Sequence, residues 1–290
     1  MRDSSSSLGV LLLSYNHERT VTATLNSVFA ELPQHRLFLM DAGSSDLTIP
    51  TALEFADRQG HGLSHASQPG TTIETLARGI EALECRYCVI LSSDDSLMNG
   101  YGAYLSSWIS SSRRGSALNW TLRMQDPSGA LVGYRKPLWT GIRRLDQKAL
   151  ALRNLGTAPG SVIDTSALLD SGFFRDHPRG LIEDHLMWFY LLEYGHIDKS
   201  HRVGVRYRLE PASLSKRRDR VFMETMGFNY GFAASASSVE LLSRAVRRTS
   251  RMSHFDGYRH GYEEGVRAGR LRRKRHLPQS SMKGDSFTSD

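Results

Sequence analysis

Tyr87-Cys88-Val89-Ile90-Leu91-Ser92-Ser93-Asp94-Asp95 is the stretch whose reading decides the fold. Its apolar run has the length and composition of a buried strand. The Asp doublet therefore falls at the strand's carboxyl end, where open α/β sheets bind their ligands. Two hard anionic groups at such an edge suit a divalent cation that carries phosphate. They equally suit a polar loop in which Asp and Ser make turn hydrogen bonds and cap the next helix. Taken by itself, the doublet fits both.

The preceding chain alternates strand-like and helix-like segments. Leu8 to Ser14 is an apolar run, and Glu18 to Leu32 repeats apolar residues at helical spacing through Val21, Leu25, Val28 and Leu32. A second run, Leu37 to Met40, leads into Asp41-Ala42-Gly43-Ser44-Ser45-Asp46 and a helical stretch near Ile49 to Gln59. A weaker strand near Leu63 to Ala66 and a helix from about Thr72 to Glu84 complete the approach to Tyr87. Such alternation predicts βαβ units and a mostly parallel central sheet flanked by helices.

The pattern changes after about residue 111. Ala117 to Met124 and Ala130 to Tyr134 flank Asp126-Pro127-Ser128-Gly129, which reads as a hairpin turn. Pro159 to Ile163 suits a strand, Thr165 to Ser171 a short helix closed by Gly172, Glu183 to Tyr194 a helix ended by Gly195, and Val203 to Leu209 a last strand. The expected divisions are a tail at 1–7, a nucleotide-binding half at 8–111, an acceptor half at 112–215, a basic helical extension at 216–276 and a disordered tail at 277–290.

Length and charge narrow the function. The 290 residues suffice for a substantial core, and no run approaches the roughly 18 apolar residues of a membrane span. The Ser-rich start shows no secretory signal, so the expectation is a cytoplasmic protein. Residues 244–276 hold eleven Lys or Arg against three acids, more than the chain's whole net charge of +7. The body is near neutral and is not built to bind a nucleic-acid backbone. Within the basic segment, Gly257, Gly261, Gly265 and Gly269 recur every fourth residue. On a helix they form one flat stripe, suited to packing on the body or to peripheral contact with an anionic membrane on its inner face; a solvated basic tail fits as well. Cys85 and Cys88 lead into a strand rather than opening a helix, so they read as structural thiols.

Four segments resemble, in order and spacing, the signatures of family 2 glycosyltransferases of GT-A fold. They are Leu11-Leu12-Leu13-Ser14-Tyr15-Asn16-His17-Glu18, Leu39-Met40-Asp41-Ala42-Gly43-Ser44-Ser45-Asp46, Ile90-Leu91-Ser92-Ser93-Asp94-Asp95 and Glu183-Asp184-His185-Leu186-Met187-Trp188. The resemblance covers roughly residues 8 to 215. It implies an inverting, hexosyl-transferring enzyme that moves a sugar from a nucleoside-diphosphate sugar, a UDP-sugar favoured, to a hydroxyl of a glycan or lipid-linked acceptor.

The roles it implies are specific. Asp94 and Asp95 anchor Mn2+ or Mg2+ on the diphosphate, with one carboxylate of this region on the metal and a neighbour on the ribose. Relatives often carry a further Asp where Ser92 stands. Asp41 accepts the imide N–H of the base, although relatives commonly have a second acid at the position of Ala42. Ser14, Tyr15, Asn16 and Glu18 line the first strand-to-helix turn, where exposed N–H groups favour a nucleotide; Asn16 or His17 also suits an N-cap. Arg78 stands where many relatives carry Asn; its guanidinium suits a donor phosphate or an exposed helix position, and Arg208, in a segment resembling the one that folds over the donor diphosphate, neutralises phosphate. Asp184 is the general base, with Glu183 beside it holding the acceptor or a cation. His177, His185 and His201 each suit a metal or phosphate contact, or a surface or core role.

Two other classes fit the fold. A sugar-nucleotide nucleotidylyltransferase needs a Gly-rich phosphate loop after the first strand, and Ser14-Tyr15-Asn16-His17 holds no glycine. A non-catalytic sugar- or partner-binding protein has no need of both the Asp94-Asp95 doublet and Asp184.

Overall fold

The structure, a computed structural model, describes residues 8–137, 156–176 and 183–210, with positions 150, 154, 227, 228 and 266. The chain divides into two compact units, 1–217 and 218–290. In the second, only Gly227, Phe228 and Val266 are described. Apart from these three positions, the expected basic extension with its glycine stripe, and both tails, lie outside the described residues. No helix among the described residues is long and apolar enough to cross a membrane.

The first unit opens with β1 (Leu8–Ser14), α1 (Val21–Glu31), β2 (Arg36–Asp41), α2 (Thr48–Arg58), β3 (Ser64–Ser67), α3 (Thr72–Leu83) and β4 (Tyr87–Ser92). It continues with β5 (Ser96–Leu97), α4 (Tyr101–Ser110), β6 (Ala117–Gln125), β7 (Leu131–Arg135), β8 (Ser161–Asp164), α5 (Thr165–Asp170), α6 (Phe173–Asp176), α7 (Glu183–Leu191) and β9 (Ile197–Arg208). The strands form one sheet in the order β3-β2-β1-β4-β8-β6-β9-β5, with β7 paired to β6. As expected, β1 to β4 pair in parallel. Beyond β4 the sheet is mixed: β8 runs antiparallel to β4 and β6, while β6 and β9 are parallel.

Apolar residues on successive positions explain the centre. Val10, Leu11 and Leu12 of β1 and Val89 and Leu91 of β4 are fully buried because helices cover both faces. One core joins Val10, Leu12, Val89 and Leu91 to Val21, Leu25 and Val28 of α1 and to Tyr101, Leu105 and Trp108 of α4. On the other face, α3 packs on β1 and β2, and Gly79 lets Leu11 approach where any Cβ would stand 2.3 Å from its Cδ1. A full capping box between Thr71 and Glu74 starts α3.

Several boundaries differ from expectation. Helix α1 begins at Val21 with Thr20 as N-cap, so neither Asn16 nor His17 caps it. Helix α7 ends at Leu191, before Tyr194. Strand β9 begins at Ile197, its first half hidden from the sequence by polar Asp198, Lys199, His201 and Arg202. Helix α6 occupies Phe173–Asp176, where no helix was expected. Helix α4 has no local cap: Glu31 at the end of α1 accepts the N–H groups of Gly100 (3.2 Å) and Gly102 (3.1 Å). Cys85 and Cys88 are free and buried, as structural thiols.

At Gly102 an added Cβ would lie 2.1 Å from the Glu31 carbonyl oxygen, a backbone atom that cannot swing away. Gly102→Ala is expected to destabilise the protein by about 1–3 kcal/mol. Gly62→Ala, with nothing within 4 Å of its Cβ position, should stay within about 0.5 kcal/mol of the parent. Parallel thermal denaturation of both variants checks this.

Candidate functional site

The chain leaves β1 toward β2 on one side and returns from α3 to β4 on the other, so the carboxyl ends of β1 and β4 flank a topological switch point. Ser14, Asp41 and Ser92 end the three strands in register: Ser14 pairs with Asp41, and Leu13 with Ser92. The loops that follow are bound to one another before any ligand is considered.

Asn16 takes a left-handed φ of 56°, which turns its N–H to the Ser44 hydroxyl (2.7 Å) and its carboxamide oxygen to the Ser45 N–H (2.9 Å). Glu18 accepts the Leu47 N–H at 3.0 Å and donates its own N–H to Asp46. Asp46 also accepts the Thr48 N–H, although the N-cap of α2 is Leu47. The side chains of Asn16 and Glu18 thus clamp the β2–α2 loop. Tyr15 is exposed, and the buried Ser14 hydroxyl has no hydrogen-bond partner.

Asp41 is buried and accepts from Gly43 N–H (2.9 Å), Ser44 N–H (2.7 Å), the Ser44 hydroxyl (2.5 Å) and the Ser67 hydroxyl (2.7 Å). Burial alone would raise its pKa, but these donors outweigh burial and hold it below the usual carboxylate value. Gly43 sits at φ 89°, the positive value its turn requires. A carboxylate has about four acceptor sites, so a base that reaches Asp41 must replace a serine hydroxyl as donor.

The Asp doublet divides. Threonines of the first helical turns hold its backbone, Thr20 on the Ser93 carbonyl (3.0 Å) and Thr24 on the Asp95 carbonyl (2.6 Å). Asp95 is 1% exposed; one carboxylate oxygen accepts the Arg208 N–H at 2.9 Å and the other is enclosed without a partner. Burial first, and the neighbouring Asp94 second, push its pKa well above the ordinary value. Asp94 keeps an accessible carboxylate, and its Oδ2 lies 3.8 Å from Nε2 of His17. The other ring nitrogen of His17 sits 2.8 Å from the Ser93 hydroxyl. His17 and Ser93 are site residues the sequence reading passed over; the only signal was the position of His17 inside the first strand-to-helix turn.

Toward a divalent cation the members of this donor set differ. Asp95, expected as a ligand, keeps one carboxylate oxygen enclosed without a partner among the described residues, and burial disfavours its charge unless a cation compensates it. Asp94 fits, with the His17 imidazole as a second donor. Among the described residues no three His, Cys, Asp or Glu side chains gather, so a cation would complete its shell with phosphate oxygens and water, as Mg2+ does at phosphate sites.

The other expected residues are more dispersed. Arg78 donates to the Pro69 carbonyl at 3.3 Å and so braces the start of α3. The Arg208 guanidinium is taken by Glu210 (2.5 Å) and the Pro127 carbonyl (2.6 Å), while its backbone holds Asp95. His185 is buried against the Leu150 carbonyl (2.5 Å), its pKa lowered by burial, which makes it a core residue rather than a ligand. His201 is exposed on β9, and His177 lies outside the described residues.

Glu183 and Asp184 open α7. Asp184 accepts from the Asn154 carboxamide at 2.7 Å, and Asn154 in turn accepts the Gly156 N–H at 3.1 Å. The same loop continues to Gly160, whose N–H bonds the Ile90 carbonyl of β4 at 2.7 Å. One short loop therefore runs from the partner of Asp184 to the strand that delivers Asp94. Asn154 carried no signal in the sequence.

Asp41 titrates below its unfolded value, so its contribution to stability is present above about pH 4 and fades as pH falls through the folded pKa. Asp41→Asn is expected to cost about 1–3 kcal/mol at pH 7. The gap to the parent should narrow below pH 4, as followed by urea denaturation across pH; a pH-independent gap contradicts the charge-assisted account.

Solved structures share this fold. Residues 1–349 of S. aureus TarS, in complex with UDP-GlcNAc, align at TM-score 0.60 and 15% identity over 90% of this chain and 79% of that one. The longer S. aureus TarS chain aligns at 0.60 and 16%, over 83% of this chain and 43% of that one. The mannosyltransferase PcManGT from Pyrobaculum calidifontis, in complex with GDP-Man and Mn2+, aligns at 0.56 and 9%, over 92% and 86%. No protein-family model matches the chain, and no curated protein sequence matches it significantly. At these identities the likeness is one of architecture: the chain has the mixed α/β fold of GT-A type glycosyltransferase structures.

Proposed function

We propose that this chain is an inverting glycosyltransferase of family 2 type. It would move a hexosyl group from a nucleoside-diphosphate sugar, a UDP-sugar favoured, to a hydroxyl of a glycan or lipid-linked acceptor. The observation that carries the reading is the edge where β1, β2 and β4 end. There Asp41, Asn16 and Glu18 are consumed in shaping the loops, and Asp94 alone keeps a carboxylate available beside His17. The neighbours in complex with UDP-GlcNAc and with GDP-Man and Mn2+ support the same reading.

In this mechanism Asp94, with His17, would hold Mn2+ or Mg2+. A bound cation would supply Lewis-acid stabilisation of the diphosphate leaving group. The loops after β1 and β2 present backbone to the nucleotide, with Ser14, Tyr15, Asn16, Glu18 and Asp41 setting their shape. Asp184, aimed by Asn154, takes the proton of the acceptor hydroxyl. The freed oxygen bonds the anomeric carbon from the face opposite the phosphate, and the breaking C–O bond sends its electron pair to the nucleoside diphosphate, which inverts that carbon. Arg78 and Arg208 act as braces here, through Pro69 and through Glu210 and Asp95 respectively. We place the protein in the cytoplasm, with residues 244–276 as its peripheral membrane contact.

Thermal stabilisation by UDP, GDP and dTDP, with and without Mn2+, identifies the base and tests the cation together. Asp184→Asn should lower turnover about 10²–10⁴-fold and leave nucleotide stabilisation intact. Asp94→Asn should abolish the Mn2+-dependent part of that stabilisation. Sugar transfer or donor hydrolysis indifferent to both substitutions refutes the mechanism.

A further inference from the structure

The regular part of the sheet at Leu122–Met124 carries an arrangement that no role named so far uses. Leu122 pairs with Val205, Arg123 with Arg206 and Met124 with Tyr207 on one side; on the other, Arg123 pairs with Tyr134. Leu118, Trp120, Leu122 and Val205 belong to the core, and Tyr207 packs against it. Alternation therefore puts Tyr134, Arg123 and Arg206 in one row across three strands, on the opposite face.

Two cations side by side on neighbouring strands, about 4.8 Å apart in backbone, repel one another. Their surroundings do not relieve this. Arg123 is half-buried and its Nε is enclosed without an acceptor. Among the described residues neither Arg123 nor Arg206 has an ion-pair or hydrogen-bond partner for its side chain, whereas Arg208 next along β9 is paired with Glu210. Tyr134 is 53% exposed beside them. A preformed cationic pair with an exposed aromatic ring is a surface for an oxyanion on a sugar.

Its place in the fold selects the ligand. Asn119 shares this face of β6 by alternation, and its carboxamide accepts the Thr157 N–H at 3.2 Å. Thr157 lies on the loop that carries Asn154, the partner of Asp184. The arginine row thus stands on the sheet face that carries the support of the proposed base, and Arg206, paired with Ser96 next to Asp95, brings it beside the donor's edge, where an acceptor has to lie.

Resting on the glycosyltransferase reading, we propose that the acceptor is an anionic glycan, a sugar polymer whose phosphodiester or carboxylate oxyanion bridges Arg123 and Arg206 while a ring packs on Tyr134. The full chain, titrated calorimetrically with a glycerol phosphate oligomer, an oligogalacturonate and neutral cellohexaose, tests this. One of the two anionic probes should bind at least about tenfold more tightly than cellohexaose, and the better one identifies the oxyanion. Arg123→Gln and the exposed Arg206→Gln should each remove that margin and keep stabilisation by nucleoside diphosphate. No anionic preference in the parent overturns the proposal. So does a preference that survives both substitutions, which would belong to residues 244–276, and so does loss of nucleotide stabilisation, which would move the arginines to the donor. A parent stabilised by no nucleotide at all sinks the glycosyltransferase reading itself, and this one with it.

Discussion

The structure depends on the parallel pairing of β1 with β4, two apolar strands reached from opposite directions along the chain. Because α1 and α2 carry the chain outward through β2 and β3 before α3 brings it back, the loops after these two central strands diverge. Divergence opens space, and burial of Val10, Leu11, Leu12, Val89 and Leu91 makes the floor of that space rigid. A ligand site follows from this constraint, because backbone N–H and C=O groups at the strand ends cannot be paired within the sheet.

Much of the polar chemistry at the edge serves the protein first. Asp41, the best-satisfied carboxylate of the site, spends its acceptors on Gly43, Ser44 and Ser67; Asn16 and Glu18 spend theirs on the next loop. Asp95 is withdrawn into the interior and tied to the backbone of Arg208, which joins the last strand to the doublet. The carboxylate left with no hydrogen-bonding task among the described residues is that of Asp94, beside His17. The division of labour between two adjacent aspartates comes from direction: successive side chains leave the turn on opposite sides, one to the edge and one to the core.

The second half of the unit contributes position rather than charge. Asn154 aims Asp184, the loop to Gly160 ties it to β4, and Asn119 fastens the same loop to β6. The arginine pair on β6 and β9 is the exception, a charge arrangement left uncompensated among the described residues.

The first half of the fold was legible because each element there obeys a local rule: apolar runs of strand length, helical spacing through Val21, Leu25 and Val28, and a Gly at Gly43 where the turn needs positive φ. Asp94, Asp95 and Asp184 were legible as carboxylates at strand and helix ends. Helix α4 was not, since its cap comes from Glu31, some seventy residues earlier, and its Gly and Ser residues mask the spacing of Tyr101, Leu105 and Trp108. Nor were His17 as a neighbour of Asp94, Asn154 as a partner of Asp184, or the retreat of Asp95 from the edge. The sequence by itself determined which residues lie where strands end, because period and composition are local properties. Only the tertiary structure decided which side chains meet there and which oxygens stay accessible, because those depend on pairings between segments far apart in the chain.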